Sequence, residues 1–167
     1  MSNLTVVLNP SHKKEDFTCG KTLLDDYLHK QAKQDVKRKL AACFILADEE
    51  NQVKGYYTLS GASIERQSLP EEIIKKLPPS YHHLPSTLLG RLAVSTKYQK
   101  QGLGELLLLD ALKRCHTISS QIASMAVIVD PLDADAQKFY NNYGFILLPG
   151  SGKMFLPMAT VAKLFGG

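Results

Sequence analysis

The stretch that determines the fold is LLGRLAVSTKYQKQGLGELLLL, residues 88–109. An apolar run of strand length passes through a polar turn into Gly102 and Gly104, and then into a leucine-rich helical pattern. A helix that begins there directs its unpaired N–H groups and the positive end of its dipole toward the turn. The stretch therefore predicts a strand–turn–helix corner that suits phosphate oxygens.

Three phosphate-binding patterns compete for this corner. A dinucleotide-binding turn requires a third glycine where the chain has Leu107, and a Walker phosphate loop requires a Gly-Lys-Ser/Thr sequence that the stretch lacks. The pattern Gln/Arg-x-x-Gly-x-Gly/Ala is met by Gln99, Gly102 and Gly104, five positions after Val94. It resembles the acetyl-CoA pyrophosphate loop of the GNAT superfamily of N-acetyltransferases. The alternative is an ordinary strand–helix turn that uses glycine for its geometry.

Composition is typical of one soluble domain over residues 1–167, with 44% hydrophobic and 22% charged residues. No apolar run approaches membrane-spanning length, and residues 1–5 lack a charged-then-apolar signal pattern, so we expect a cytoplasmic protein without a membrane partner. The net charge of +4 permits an anionic partner without requiring one. Cys19, Cys43 and Cys115 lack metal-site spacing and are expected to be reduced thiols.

Hydrophobic periodicity and turn residues predict the remaining elements. Strands are expected near residues 4–8, 41–47, 53–64, 88–94, 123–129, 145–148 and 153–158, and helices near 21–39, 70–77, 102–116 and 134–142, the last capped by Asp133. Residues 78–85 are expected to form a loop, in which His82 and His83 lack a third metal ligand, and a short tail ends the chain. This order describes an α/β fold, a mixed and mostly antiparallel sheet with helices on both faces.

The helix predicted at residues 102–116 has a core-facing side and a second apolar group. The core-facing side carries Leu107, Leu108, Ala111, Leu112 and Cys115. Leu106 and Leu109 lie away from it, among Glu105, Asp110 and Lys113. The second group is either further packing or part of a protein interface.

The helix predicted at residues 21–39 is strongly basic on one side. Leu24, Leu28, Ala32 and Val36 recur every four residues as its apolar stripe. Lys30, Lys33 and Lys37 fall on the opposite side, followed by Arg38 and Lys39, with Asp35 as the one acid facing them. Such a run is either a solvated face or a contact with a nucleic acid.

Further stretches extend the resemblance to nearly the whole chain. They are FTCG at residues 17–20, LDDYL at 24–28, GYYTL at 55–59, GRLAV at 90–94, the loop at 99–104 and AQKFYNNYGF at 136–145. Together they are similar to one GNAT branch, the acetyltransferase toxins of the TacT and AtaT type. The resemblance implies acetyl-CoA as cofactor, acetylation of the α-amine of an aminoacyl-tRNA, a block in translation and a ribbon-helix-helix antitoxin as partner. It leaves open whether the chain forms a homodimer.

The same resemblance implies where the cofactor binds. In the GNAT fold the sheet splays after the fourth strand, and the pantetheine arm pairs there with the backbone of Leu92, Ala93 and Val94. The loop from Gln99 and Lys100 leads into the amides that receive the pyrophosphate, those of Gln101, Gly102, Leu103, Gly104 and Glu105. Asn142 and Tyr143 are expected to line the cofactor channel, and Arg91 is a further candidate for tRNA contact.

Acetyl transfer requires a proton to leave the amine and another to reach the departing thiolate. Tyr140 matches the family's tyrosine position and is the candidate acid, unless it is only a core aromatic. Residues 86–94 contain no carboxylate base, and Glu65 is the nearest candidate. The pKa of an α-amine is about 7.7–8.0, whereas that of a lysine side chain is about 10.4. Deprotonating an α-amine near pH 7 therefore costs roughly 3.4 kcal/mol less, which a catalytic base need not supply. A site without a base therefore favours an α-amine.

Three functions follow from these features. The first is a toxin that acetylates aminoacyl-tRNA, and the second is a GNAT enzyme acting on a small amine or a protein N-terminus. The third is a catalytically silent regulator that only binds acetyl-CoA. The phosphate loop combined with Tyr140 argues against the third, and the basic helix favours the first over the second.

Overall fold

The computed structural model describes residues 3–166. Its strands are β1 (Val6–Val7), β2 (Ala42–Ala47), β3 (Val53–Glu65), β4 (His83–Val94), β5 (Ala126–Val129), β6 (Ile146–Leu147) and β7 (Met154–Pro157). Its α-helices are α1 (Thr22–Asp26), α2 (Ala32–Lys37), α3 (Glu71–Ile74), α4 (Leu103–Ile118), α5 (Ala134–Asn142) and α6 (Met158–Leu164). A π-helical segment, Tyr27–Gln31, joins α1 to α2, and 3₁₀ turns occupy Arg66–Ser68 and Thr96–Tyr98. None of the helices described is both long and apolar enough to span a membrane.

The seven strands found within residues 3–166 are hydrogen-bonded in the order β1-β2-β3-β4-β5-β7-β6. This mixed sheet with its helices confirms the predicted α/β class. The chain divides into two compact units, and the division falls inside β3, β4 and α4. The first unit comprises Met1–Ser60 and Leu89–Arg114, and the second comprises Gly61–Leu88 and Cys115–Gly167. The expectation of one domain over the whole chain stays a prediction.

In the first unit, β1, β2 and β3 form an antiparallel ladder, in agreement with the predicted mostly antiparallel sheet. Val6 lies opposite Ile45 in the pair formed by β1 and β2. Between β2 and β3 the chain turns at Asp48, whose Oδ1 accepts hydrogen bonds from the N–H groups of Glu50 and Gln52 at 2.8 and 2.9 Å. An aspartate that binds the backbone two residues ahead stabilises such a turn, so this hairpin is encoded locally.

The predicted apolar stripe of the basic helix packs into the core of the first unit. Leu28 and Ala32 are completely buried, and Leu24 and Val36 pack against the same cluster. The predicted single α-helix is wrong in one respect, because Tyr27–Gln31 has π-helical geometry. The wider turn buries Tyr27 and Leu28 together.

A buried polar group, which we call the Asp110 cluster, connects α4 with β3 and the residues before β1. Asp110 Oδ2 accepts hydrogen bonds from Thr5 Oγ1 at 2.5 Å and Tyr57 Oη at 2.7 Å. Its Oδ1 accepts from Asn3 Nδ2 at 3.0 Å and from the Leu4 N–H at 2.7 Å. Arg114 completes the cluster by donating from Nε to Tyr57 Oη at 2.9 Å and from Nη2 to the Thr5 carbonyl at 2.7 Å.

The helix pattern predicted the buried side of α4 but misplaced Asp110. All five residues assigned to the core-facing side are buried, and Leu106 is 46% exposed. Asp110, placed by periodicity away from that side, is only 6% exposed. Its burial is stable because distant residues supply hydrogen bonds to the carboxylate, which helical periodicity does not reveal.

In the second unit, β7 pairs antiparallel with both β5 and β6, and Val127 lies opposite Leu156. The helix α5 has the predicted bounds, and the Ala136 N–H donates to Asp133 Oδ1 at 2.9 Å, which confirms the predicted cap. The chain leaves this helix at Gly144, whose φ of +90° is available to glycine at little cost.

Two predictions in the second unit are wrong. The loop expected at residues 78–85 ends early, because β4 begins at His83 and Pro85 accepts a hydrogen bond from the Met125 N–H at 2.8 Å. The short tail expected after the last strand contains α6, which packs through the buried Met158 and Val161. In both places burial and pairing with distant residues extend the regular structure.

The three cysteines are free and buried. Burial raises the pKa of Cys19 to about 11. Burial likewise raises the pKa values of Cys43 and Cys115 to about 12. All three side chains are therefore neutral thiols near pH 7, with little thiolate for nucleophilic chemistry.

Candidate active site

The polar turn after β4 is held by backbone hydrogen bonds within the first unit. The Ser95 N–H donates to the Lys54 carbonyl at 2.8 Å, and the Thr96 N–H donates to the Thr18 carbonyl at 2.8 Å. Ser95 is buried and accepts a hydrogen bond from the Lys97 N–H at 3.4 Å, which begins the 3₁₀ turn. The turn is therefore anchored on both sides before α4 begins.

The side chain of Gln99 braces the same turn. Its Nε2 donates to the Val94 carbonyl at 2.9 Å and to the Cys19 carbonyl at 2.8 Å. The amide nitrogen thus joins the end of β4 to the segment that precedes α1. The glutamine predicted to belong to the cofactor loop shapes that loop from within, which gives a physical reason for glutamine at this position.

The start of α4 has the geometry of an anion site. Lys100 has φ +65° and Gly102 has φ +79°, a left-handed conformation that favours glycine. The Leu106 N–H donates to the Gly102 carbonyl at 3.2 Å, so the N–H groups of Leu103, Gly104 and Glu105 precede the first hydrogen bond inside the helix. These three amides and the helix dipole favour a negatively charged ligand. The cofactor contacts predicted for these amides stay predictions.

Gly55 brings β3 close to the last residues of β4, a role that the sequence analysis missed. A Cβ atom at residue 55 would lie 2.9 Å from the Ala93 carbonyl oxygen and 2.8 Å from Leu107 Cδ1. Ala93 is buried, and Leu92 and Val94 are half-buried. The glycine thus positions the strand segment predicted to bind the pantetheine arm. A glycine inside a strand is the signal that would have found it.

Tyr140 lies in α5, in the second unit, and its ring is packed among aromatic side chains. The ring centroids of Phe139 and Phe145 are each 5.2 Å from that of Tyr140, at interplanar angles of 72° and 61°. Burial raises the pKa of Tyr140, so its hydroxyl stays protonated near neutral pH. No hydrogen bond contributes to this pKa shift. The ring therefore packs as a core aromatic residue, while the hydroxyl carries a proton.

The other predicted channel residues follow Tyr140 on the same helix. Asn142 is exposed, and Tyr143 is half-buried with its ring centroid 5.1 Å from that of Phe139. The candidate base Glu65 is exposed at the end of β3 and accepts a hydrogen bond from Gln67 Nε2 at 3.3 Å. Roles for these side chains stay predictions.

The predicted basic residues Lys30, Lys33, Lys37, Arg38 and Lys39 are all exposed. Lys30 Nζ lies 3.7 Å from Asp26 Oδ1, which makes a surface ion pair. The expectation that Asp35 faces the basic residues is wrong, because Asp35 is buried and accepts a hydrogen bond from Tyr27 Oη at 2.9 Å. The carboxylate instead satisfies the tyrosine that the π-helical turn buries.

Arg91, a further tRNA candidate, is stacked on an aromatic ring. Its Cζ lies 3.5 Å from the ring centroid of Tyr27, within the range of a cation–π contact. The Tyr27 ring in turn stacks on Tyr56 at 6.3 Å and 15°. The guanidinium is half-buried and fixed in direction, whereas the lysines of α2 are exposed. Its contact with tRNA stays a prediction.

Two buried polar atoms within residues 3–166 have no hydrogen-bond partner. They are Nε2 of His29, in the π-helical segment, and Oγ of Ser86, in β4. Unsatisfied buried groups are uncommon in folded proteins. No local sequence signal marks either residue. Among the described residues, no group of histidine, cysteine, aspartate or glutamate side chains is arranged to hold a metal ion.

Comparison with known proteins now adds to this geometry. The acetyltransferase (GNAT) domain family matches residues 39–147, which contain the phosphate corner and Tyr140. This chain belongs to the GNAT acetyltransferases. It is therefore an N-acetyltransferase, and its acyl donor is acetyl-CoA. The family assignment agrees with the resemblance on which the predicted fold and cofactor depended.

This GNAT acetyltransferase is similar to proteins of one functional type. It is 34% identical over 133 residues to a tRNA-acetylating toxin of Mycobacterium tuberculosis (strain ATCC 25618 / H37Rv), with 80% of this chain and 78% of the relative covered. A structure of AtaT complexed with acetyl-methionyl-tRNAfMet matches with a TM-score of 0.88 and 30% identity, over 96% of this chain and 98% of AtaT. A mutant AtaT bound to the C-terminus of the antitoxin AtaR and acetyl-CoA matches with a TM-score of 0.83 and 27% identity, covering 98% of each chain.

Proposed function

We propose that this GNAT acetyltransferase is a toxin that acetylates the α-amine of an aminoacyl-tRNA and so blocks translation. The observation that carries the proposal is the exposed basic surface of Lys33, Lys37, Arg38 and Lys39, which lies in the same unit as the phosphate corner. A polyanionic substrate would neutralise such a surface. The similarity to a tRNA-acetylating toxin and to tRNA-bound AtaT supports the same substrate class.

The first unit would hold the cofactor. The N–H groups of Gln101, Gly102, Leu103, Gly104 and Glu105 would bind the pyrophosphate, with Lys100 adding a positive charge. The backbone of Leu92, Ala93 and Val94 would bind the pantetheine arm as an added strand does. The rigid turn around Gln99 supports this assignment, because a preformed site loses less freedom on binding. When bound, acetyl-CoA supplies the acetyl group and the leaving sulfur.

The proposed acid is Tyr140. Tyr140 holds a proton on its phenolic oxygen and would donate it to the sulfur that leaves. A phenol of ordinary pKa, about 10, is already protonated near pH 7, and no hydrogen bond contributes to the pKa shift of Tyr140. The substrate needs no strong base, because an α-amine with a pKa of about 7.7–8.0 is partly neutral near pH 7.

We propose further that a ribbon-helix-helix antitoxin restrains the enzyme and that both act in the cytoplasm. Support comes from a similar protein, AtaT, which is bound to the C-terminus of the antitoxin AtaR in one structure. The prediction leaves open whether the enzyme acts as a homodimer. Coexpression with a small DNA-binding protein encoded next to the gene, followed by size-exclusion chromatography with light scattering, would test both the partner and the oligomeric state; absence of such a reading frame would contradict the antitoxin proposal.

The experiment that tests the proposed function incubates the enzyme with individually charged tRNAs and labelled acetyl-CoA. Acetylation of at least one aminoacyl-tRNA is the expected result, and mass spectrometry of the released aminoacyl group identifies the modified amine. Parallel reactions with free amino acids, small amines and peptide N-termini serve as controls. Efficient acetylation of these small substrates without any transfer to charged tRNA would contradict the proposal.

The basic surface and the neighbouring Lys30 are tested together by changing Lys30, Lys33 and Lys37 to glutamate. We expect weaker tRNA binding and a log–log salt dependence that is flatter by roughly two to three units, because each phosphate contact releases condensed counterions. A minimal aminoacyl mimic, which needs no RNA backbone contact, serves as the comparison substrate across the salt series. If the triple variant acetylates intact tRNA as efficiently as wild type, this surface is only solvated and does not contact the tRNA.

A further inference from the structure

A cavity of about 340 Å³ lies in the first unit between the segment after β1 and the helix α2. Leu8, Pro10 and Val36 form its apolar wall. Its volume falls at the lower end of the range of about 300–1,000 Å³ that is usual for small-molecule sites. The cavity is therefore large enough for a nucleotide and much larger than an isolated phosphate requires.

Three lysines, Lys14, Lys33 and Lys37, line this cavity together with a single acid, Glu15. Within residues 3–166, none of the three ammonium groups lies within 4.0 Å of a carboxylate. Lys30, which precedes Lys33 and Lys37 on the helical segment, does not line the cavity and pairs with Asp26 instead. The cavity thus concentrates positive charge, because three lysines and one acid line it and none of these lysines forms an ion pair within residues 3–166.

The segment that forms the other side of the cavity is rigid. Asn9 Oδ1 accepts hydrogen bonds from the N–H of Ser11 at 2.9 Å and from its Oγ at 2.5 Å. The Lys13 N–H donates to the Asn51 carbonyl at 2.7 Å, which ties the segment to the β2–β3 turn. The backbone on this side of the cavity is therefore preformed, which reduces the conformational entropy lost on binding.

His12 adds a neutral hydrogen-bond donor to the lining. It is 7% exposed, and its Nδ1 accepts a hydrogen bond from the Asn9 N–H at 3.1 Å. Since Nδ1 is an acceptor, the ring proton resides on Nε2. Burial lowers the pKa of His12, which agrees with a neutral ring. The site thus combines ammonium groups, one N–H donor and an apolar wall.

We propose that this cavity binds one nucleotide of an RNA, with its phosphate against Lys14, Lys33 and Lys37 and its sugar and base against the apolar wall. The inference rests on the proposed function, in which the RNA is the tRNA substrate. Lysine ammonium groups bind the phosphates of a nucleic acid backbone as point charges. Single-stranded nucleotides bind where such positive charge lies next to apolar surface. Arg38 and Lys39 extend the exposed basic surface beyond the cavity, as a chain of phosphates requires and a small anion does not.

The test measures binding of a fluorescently labelled single-stranded RNA oligonucleotide by anisotropy over a salt series. Saturating acetyl-CoA is included so that the cofactor corner is occupied. The variant Lys14→Ala/Lys33→Ala/Lys37→Ala should bind more weakly and lower the log–log salt slope by about two, since each contact to single-stranded nucleic acid contributes about 0.7. Lys30→Ala should have a smaller effect than Lys33→Ala or Lys37→Ala.

A gain of binding separates this effect from misfolding. Glu15→Lys removes the one acid of the cavity and should tighten RNA binding and steepen the slope by about 0.7. Glu71→Lys makes the same charge change in α3, outside the cavity lining, and is the matched control. Circular dichroism verifies that each variant is folded. Equal effects of Glu15→Lys and Glu71→Lys would overturn the inference, because net charge alone would then explain them.

Other ligands provide the remaining outcomes. Inorganic phosphate or a nucleoside monophosphate that binds with the same lysine dependence, while RNA binding is unaffected, would overturn the RNA assignment in favour of a free nucleotide. Lysine-dependent binding of an acidic peptide, with RNA unaffected, would overturn it in favour of a protein partner. Cavity-dependent RNA binding by an enzyme that acetylates no charged tRNA would support the cavity while contradicting the proposed function.

Discussion

Replacing Asp110 tests whether the buried cluster holds the first unit together. Asp110→Ala leaves the hydroxyls of Thr5 and Tyr57 and the Leu4 N–H without their acceptor. It also removes the carboxylate 4.0 Å from Arg114 Nε, whose side chain is 19% exposed. Removing one partner of a buried charge pair costs about 3–5 kcal/mol in the free energy of unfolding. For a protein of this size, that corresponds to a melting temperature lower by about 6–20 °C.

The pH dependence of this effect has a definite sign. Burial by itself would raise the pKa of Asp110, but hydrogen bonds from Thr5, Tyr57, Asn3 and the Leu4 amide lower it below its ordinary value. Because the folded-state pKa is lower than the unfolded-state value of about 3.9, the carboxylate stabilises the fold above that pH. The contribution is lost as the pH falls through the folded-state pKa. The difference in stability between wild type and Asp110→Ala should therefore shrink below about pH 4.

Urea denaturation at pH 7 and at a series of lower pH values measures both effects. Asp26→Ala is the matched control, because its exposed carboxylate pairs with Lys30 on the surface and should contribute less than about 1 kcal/mol. Equal losses of stability in Asp110→Ala and Asp26→Ala at pH 7 would show that the buried carboxylate contributes no more than a surface one. A stability difference from wild type that is the same at every pH would contradict the proposed titration of Asp110.

Three further substitutions address the active site. Tyr140→Phe should lower kcat by roughly 10²–10⁴-fold and leave the acetyl-CoA affinity measured by calorimetry nearly intact, and an unchanged turnover rate would remove Tyr140 from the mechanism. Gly104→Glu should abolish the binding of acetyl-CoA measured by calorimetry in a folded protein, because it adds bulk and negative charge to the phosphate corner. Wild-type affinity would mean that the cofactor site lies elsewhere. Gly55→Ala should cost about 1–3 kcal/mol in thermal unfolding, since its Cβ would lie 2.8 Å from Leu107 and 2.9 Å from the Ala93 oxygen, and an unchanged melting temperature would contradict this packing.

Local signals in the sequence were sufficient for several elements. The bounds of α5 follow from Asp133 at its start and Gly144 after its end, and both act within a few residues. The buried side of α4 follows from helical periodicity, because Leu107, Leu108 and their neighbours repeat at the spacing of one helix face. The positive φ of Gly102 and the first turn of α4 also follow from local signals, whereas the turn before them is anchored on the distant carbonyls of Lys54, Thr18 and Cys19.

Resemblance extended the prediction from geometry to chemistry. The corner alone indicates an anion, and its match to the GNAT loop is what identified acetyl-CoA. For Tyr140 the family motif suggested an acid, while the local pattern indicated only an aromatic residue near a helix end. The structure adds that its ring is packed and its pKa raised, both of which depend on the surrounding fold.

Only the tertiary structure decided which polar residues are buried and which basic ones share a cavity. Asp110 and Thr5 are separated by 105 positions yet form a hydrogen bond, so no short window of sequence shows that the aspartate is satisfied. Lys14 joins Lys33 and Lys37 because the loop after β1 folds beside α2. Periodicity and capping act over a few residues and can therefore be recognised directly in the sequence. The burial of a charge and the convergence of like charges depend on partners that the folded chain brings together from far apart.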